Sequence, residues 1–249
     1  MTCDSWRFPP LGLAMLLCFS GCTNLTSSQG IHVDIDMRRE GDSAATLSNA
    51  EGYSFVVNKA LLVISAVELV PCEATLMTKI VDNLRLTSVA KAHGPLLPTS
   101  YAVPQVIDLM ADVGTDRFVA HIEPPPGRYC ALRLLSAPAD GDAEGVDEHM
   151  EIVSRALYVV GEYSMPASAS ARTMAIESTM EQTAELAFDD GELELSAAAS
   201  QINLRLTISH AAMFEGIMPP TQDPMWQAYA VQKNLLSQIH LTICDADGC

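Results

Sequence analysis

From Ile31 onward the chain alternates between apolar and polar residues. "IHVDIDM" sets Ile31, Val33, Ile35 and Met37 against His32, Asp34 and Asp36; "INLRLTIS" sets Ile202, Leu204, Leu206 and Ile208 against Asn203, Arg205, Thr207 and Ser209. A period of two puts the apolar side chains on one face, so both stretches predict strands with one buried and one wetted side. "ALLVISAVELV" (Ala60 to Val70) is apolar on both faces except at Glu68 and predicts a central strand. Further strands are expected at Tyr53 to Val57, Thr78 to Leu84, Val106 to Met110, Arg117 to Ile122, Tyr129 to Leu135, Arg155 to Tyr163, Met174 to Ser178 and Ile239 to Cys244. "HGPLLP" (His93 to Pro98), "PPPG" (Pro124 to Gly127) and "FDDG" (Phe188 to Gly191) supply turns between them. Many short strands divided by Pro- and Gly-rich turns predict an all-β protein, an Ig- or transthyretin-like β-sandwich occupying residues 31–249 as one domain. One helix interrupts the pattern near the C-terminus: Asp223 is its cap, Pro224 fits its first turn, and "MWQAYAVQKNLL" follows. A short helical turn is also expected to begin at Met213 and Phe214.

The N-terminus follows a different pattern. Leu11 to Phe19 is a run of apolar residues and Gly that stops at Ser20-Gly21-Cys22. A membrane-spanning helix needs about 20 apolar residues, and this run has the length of a signal-peptide core instead. Small residues directly before a Cys resemble the bacterial lipobox. That resemblance implies a lipoprotein signal over residues 1–21, lipidation at Cys22, and cleavage before it. Two or three acyl chains, at about 0.8 kcal/mol per buried methylene, hold a protein stably in a bilayer. Thr23 in place of Asp after Cys22 implies the outer membrane by the enteric sorting rule. "TNLTSSQG" (Thr23 to Gly30) is small, polar and unpatterned, so residues 22–30 read as a lipidated Cys and flexible tether. No later apolar stretch approaches spanning length.

Charge and cysteine content narrow the picture. A net charge of −17 repels nucleic acid and anionic head groups and tolerates cations. Of seven Cys, Cys3 and Cys18 leave with the signal and Cys22 takes lipid, which leaves Cys72, Cys130, Cys244 and Cys249. An even number in an exported chain predicts two disulfides. Of the three connectivities, Cys72–Cys130 with Cys244–Cys249 is favoured; the second would close "CDADGC", made flexible by Gly248.

"DGDAEGVDEHME" places Asp140, Asp142 and Glu144 at positions 1, 3 and 5 of a twelve-residue loop, Gly145 at 6 and Glu151 at 12. That spacing is a calcium-loop spacing, because alternate oxygens of a tight loop converge on one centre and a late Glu can close the shell. Asp147 stands where an apolar residue is expected, and a strand precedes the loop where a helix would enter. "DADG" (Asp245 to Gly248) is a weaker fragment of the same kind. The six His (His32, His93, His121, His149, His210 and His240) form no His-x-His or His-x-x-x-His, so a copper or zinc site has to be assembled by the fold. His32 shares a strand face with Asp34 and Asp36. There is no Gly-x-Ser-x-Gly, phosphate loop or Met-x-x-Met cluster.

"EPPPGRYCALRL" (Glu123 to Leu134) leads a Pro-Gly-x-Tyr turn into an alternating strand. With "ALLVISAVELVPC" before it and a Met-Trp helix near the end, the chain resembles the MbnP-like copper-binding periplasmic proteins and a related group of bacterial lipoproteins. The resemblance implies a β-sandwich with a four-Cys pattern, copper, and a di-haem peroxidase-like partner. Trp226 in "DPMWQAY" matches the family's aromatic helix segment, and His240 and Cys249 in "HLTICDADGC" match its ending, which makes Trp226 and His240 copper-site candidates. The family's early Cys is missing, and "YSMPASASAR" (Tyr163 to Arg172) offers no His. Together these features predict a lipid-anchored outer-membrane protein, facing periplasm or cell surface, that acts as a binding module rather than an enzyme. Calcium is the expected ion and copper the alternative. The competing expectation is an accessory lipoprotein that holds a protein partner.

Overall fold

A computed structural model describes residues 31–41, 46–72, 97–166, 168, 170–189, 191–198 and 201–244. The described residues form an all-β sandwich of fourteen strands in three sheets with one α-helix. The first sheet has the order β14(Ile239–Cys244), β13(Gln201–Ile208), β1(His32–Arg39), β7(Asp116–Ile122). β1 runs parallel to β13 and antiparallel to β7, so the N-terminal strand lies in the middle of this sheet. The second sheet orders β10(Ala171–Ser178), β9(Leu157–Ser164), β3(Ser54–Ile64) and β2(Thr46–Ser48), with β6(Gln105–Asp108) also on β3. The third orders β11(Gln182–Ala187), β8(Gly127–Ser136), β4(Ala66–Pro71) and β5(Ser100–Tyr101), with β12(Leu193–Leu195) also on β8.

The apolar run from Ala60 to Val70 is two strands rather than one. β3 ends at Ile64 and pairs in the second sheet, while β4 starts at Ala66 and pairs in the third. Ser65 makes the crossing; its N–H and its Oγ both donate to the Leu135 carbonyl, at 2.8 and 3.0 Å. Tyr53 to Val57, expected to stand apart, joins β3 through a register shift between Val57 and Lys59. Thr78 to Leu84 lies outside the described residues.

All three sheets bury their apolar faces in one cluster. Ile35, Leu62, Leu69, Leu132, Leu134 and Val159 are fully buried there, with Phe55 stacked on Phe214 at 4.1 Å between ring centroids. Met213 and Phe214 lie in consecutive turns, with Met213 N–H donating to His210 O and Ile217 N–H to Phe214 O. The Pro-Gly-x-Tyr turn is held by Tyr129, whose hydroxyl donates to the Pro125 carbonyl at 2.9 Å. Cys72 and Cys130 form a disulfide at 2.06 Å that ties the end of β4 to β8. Cys244 is also disulfide-bonded; Cys249, its expected partner, lies outside the described residues.

The helix, α1(Pro224–Ser237), starts where the sequence places it. Asp223 Oδ1 accepts from Met225 N–H at 2.9 Å and from Trp226 N–H at 3.1 Å, which satisfies two donors the helix cannot. Gln232 is fully buried on its inner face and fully used: Nε2 donates to Ser136 Oγ and Met180 O, and Oε1 accepts from Ser178 and Gln182. These bonds fix α1 to β8, β10 and β11. Asp223→Ala is expected to lower stability by about 1 kcal/mol, read as a lower urea midpoint at unchanged slope. Among the described residues no helix is long and apolar enough to cross a membrane.

Candidate metal centre

The wetted face of the first sheet carries the densest chemistry. β1 alternates half-buried and buried positions, so His32 and Asp34 point outward together while Val33 and Ile35 point into the core. On β7, His121 has the same outward phase, and Glu123 follows it by two residues. The antiparallel register sets Asp34 opposite His121 and Val33 opposite Ile122, and one step further brings Glu123 beside His32. Two short period-two pairs, His-x-Asp and His-x-Glu, are thereby interleaved into one cluster.

Three ligand atoms converge. His32 Nδ1 lies 3.4 Å from His121 Nε2 and 3.6 Å from Glu123 Oε1, and His121 Nε2 lies 3.7 Å from the same Glu123 oxygen. The rings stack at 5.3 Å between centroids. Behind them, His121 Nδ1 contacts Asp34 Oδ1 at 2.6 Å, and Gln201 Nε2 donates to the other Asp34 oxygen at 3.1 Å. A carboxylate can only accept, so the proton of that bond sits on His121 Nδ1, and in the neutral ring the Nε2 lone pair is left on the side of His32 and Glu123. The Asp34 hydrogen bond and charge, with Glu123 behind them, hold the His121 imidazole above its ordinary pKa, against the opposing effect of burial. Further along the same face, Arg38 and Arg205 both donate to Asp116, and Arg38 holds the Asp116 carboxyl below its usual range. Burial and the neighbouring Asp116 and Asp34 push Asp36 up.

Bonds of about 2.0–2.2 Å to nitrogen and oxygen in a tetrahedron give ligand–ligand edges of about 3.3–3.6 Å. The observed triangle has those edges to within a tenth of an ångström. Cis ligands of a square-planar or octahedral ion would stand closer, at about 2.8–3.1 Å for the same bond lengths.

The residues singled out in the sequence lie elsewhere. Asp140 and Asp142 lie side by side; burial first, then Asp142, raises the Asp140 carboxyl, and Asp140 Oδ1 is buried without a hydrogen-bond partner among the described residues. Glu144 is tied by its backbone, its N–H donating to Pro104 O and its carbonyl accepting from Val106 N–H. Gly145 makes the expected sharp turn at φ 83°, and single 3-10 turns, Val146–Glu148 and Met150–Ile152, stand where an exiting helix would begin. Glu151 is ion-paired with Lys59 of β3. Lys59 thus supplies the positive charge at position 12 of this loop. Trp226 sits half-exposed in the first turn of α1, and His240 is exposed on β14 opposite Thr207. Neither belongs to the cluster of His32, His121 and Glu123. The other close group among the described residues is Cys72, Cys130 and Glu192, whose sulfurs are bonded to each other and so offer no thiolate.

His121 and Glu123 were not singled out as ligands by the sequence. The available signal was the repeated His-x-acid step on two predicted strands, and the missing information was their pairing. No protein family, curated protein or solved structure matches this chain. The likeness to the copper-binding family therefore rests on the sequence motifs alone.

Proposed function

We propose that this chain is an exported lipoprotein, anchored in the outer membrane through Cys22, whose β-sandwich binds one divalent transition-metal ion through His32, His121 and Glu123. The observation that carries the reading is the triangle of three ligand atoms at 3.4, 3.6 and 3.7 Å, with Asp34 fixing the His121 tautomer from behind. A carboxylate on the distal nitrogen of a ligating His orients the ring and raises its basicity, a pairing common in zinc sites. Two imidazoles and one carboxylate form a borderline donor set that suits zinc and copper(II) rather than copper(I), which prefers sulfur. The spacing of the three atoms is compatible with a tetrahedral ion such as zinc. Copper, suggested by the family resemblance, is placed by this reading at His32 and His121 rather than at Trp226 and His240. In the loop from Asp140 to Glu151, Glu151 is paired with Lys59, and Asp140 and Asp142 interact with each other. That leaves calcium as the weaker of the two metal readings.

The test is calorimetric titration of the full chain, purified in detergent and stripped with chelator. One equivalent of zinc is expected to bind, and binding is expected to be lost in the His32→Ala, His121→Ala double variant. No heat of binding, or equal binding by the double variant, sinks the proposal. The anchor is tested separately: Cys22→Ala should abolish acyl labelling and release the protein from the membrane fraction, and a labelled, membrane-bound variant would refute it.

A further inference from the structure

We propose that the site is built to pass its ion on, by direct attack of an acceptor's nitrogen donors on an open coordination position, with Glu123 the first protein ligand to leave. This rests on the reading that His32, His121 and Glu123 hold the ion. Those three groups supply one face of a tetrahedron, and among the described residues no fourth His, Cys, Asp or Glu completes it. Asp34 is not available as the fourth, since it is spent on His121 Nδ1 and on Gln201. The ligands stand on the outer face of the sheet rather than in its core. The His32, His121 and Glu123 side chains are 44, 40 and 55% exposed, so the open apex faces solvent. Structural zinc sites are closed by four protein ligands, whereas sites that react with an incoming group keep a position free.

The three ligands are not equally held. His121 lies within β7 with Nδ1 fixed by Asp34, so a bound ion would hold its second ring nitrogen as well. His32 lies within β1, between β13 and β7. Glu123 follows the last residue of β7, is the most exposed of the three, and among the described residues forms ion pairs only with the two histidines. In the exchange, a nitrogen lone pair of the acceptor forms a bond to the ion at the open position, displacing any water there. The Glu123 Oε1–metal bond then breaks and the carboxylate departs with its electron pair as an anion. A second acceptor nitrogen takes the vacated position before the imidazoles leave with their lone pairs. The metal keeps its oxidation state throughout, and the Asp34–His121 hydrogen bond survives. The acceptor class this exchange requires is one that presents two or more nitrogen donors.

The test uses the zinc-loaded full chain in detergent and the chromogenic chelator 4-(2-pyridylazo)resorcinol as the acceptor. Transfer is expected to accelerate in proportion to chelator concentration, and Glu123→Gln is expected to transfer at least ten times faster at equal chelator. A rate independent of chelator concentration would show that the ion dissociates before it is captured and would overturn the proposal. An unchanged rate in Glu123→Gln would overturn the role given to that residue. A chain that retains no zinc after loading and desalting overturns the metal reading itself, which separates that failure from failure of the exchange mechanism. His32→Ala serves as the control: if it holds one equivalent and transfers it as the wild type does, the transferred zinc comes from the acidic surface and the proposal falls.

Discussion

In His121→Ala the melting temperature is expected to stop responding to zinc. An ion that binds only the folded chain stabilises it by RT ln(1 + [L]/Kd), about 2.7 kcal/mol at one hundred times Kd. For a domain of this size each kcal/mol raises the melting temperature by about 2–4 °C, so the wild-type shift is about 5–10 °C. His121 supplies the best oriented of the three ligands. Without it two donors remain, His32 Nδ1 and Glu123 Oε1, and among the described residues Asp34 keeps only Gln201. Because the His121 side chain is 40% exposed, its removal leaves little core cavity, and the metal-free variant should melt close to the metal-free wild type. Asp34→Asn grades the effect. It keeps the three ligands and weakens the hold on the tautomer, a change that typically lowers metal affinity about 10–100-fold. Scanning calorimetry with and without zinc reads all three proteins. A variant that still gains the wild-type shift would mean that zinc stabilises this chain by general attraction to its charge of −17.

The origin of that site explains what the sequence could and could not show. Alternation is written along one strand and needs no knowledge of the rest of the chain. β1, β7, β8, β9, β10, β13, β14 and α1 were therefore readable, α1 because Asp223 and Pro224 are local start signals. The run from Ala60 to Val70 was misread because an apolar stretch carries no phase; nothing local says that Ser65 turns toward the Leu135 carbonyl. β2, β5 and β12 are too short for a period to register, and β11, with the sequence QTAELA, has Thr183 as its one β-branched residue and no aromatic to mark it as a strand. The His-x-Asp and His-x-Glu steps were visible as residues. Their meeting depends on pairing between segments 87 residues apart, from Asp34 to His121, and pairing is a tertiary fact. The same holds in the loop from Asp140 to Glu151, where the spacing was legible and the arrival of Lys59 from 92 residues away was not.

Gly161→Ala is expected to be the most damaging single-methyl change in this fold. Gly161 sits in the middle of β9, opposite Val57 on one side and Met174 on the other, so strands flank it at both edges. The β3 ladder slips by one residue between Val57 and Lys59, at this point of the pairing. That irregularity drives the Val56 carbonyl toward Gly161: a Cβ built there would lie 2.0 Å from Val56 O, 3.1 Å from Val56 C and 3.2 Å from Val57 Cα. All three atoms are backbone, so no side chain can rotate away, and relief requires opening the ladder between β3 and β9. Overpacking of a core side chain typically costs about 1–3 kcal/mol, and a backbone clash with no soft partner belongs at or above the top of that range. The gain from a less flexible unfolded chain, about 0.4–1 kcal/mol for Gly to Ala, is too small to offset it. Gly141→Ala is the matched control, because a Cβ there meets nothing within 4 Å and needs no left-handed backbone. Urea unfolding should place Gly161→Ala well below wild type and Gly141→Ala at or slightly above it, with the same slope for all three. Equal midpoints for the two variants would mean that β3 and β9 do not pair in this register. The clash lies in the second sheet and the proposed metal ligands in or beside the first, so Gly161→Ala, where it still folds, is expected to match the wild type in zinc titration.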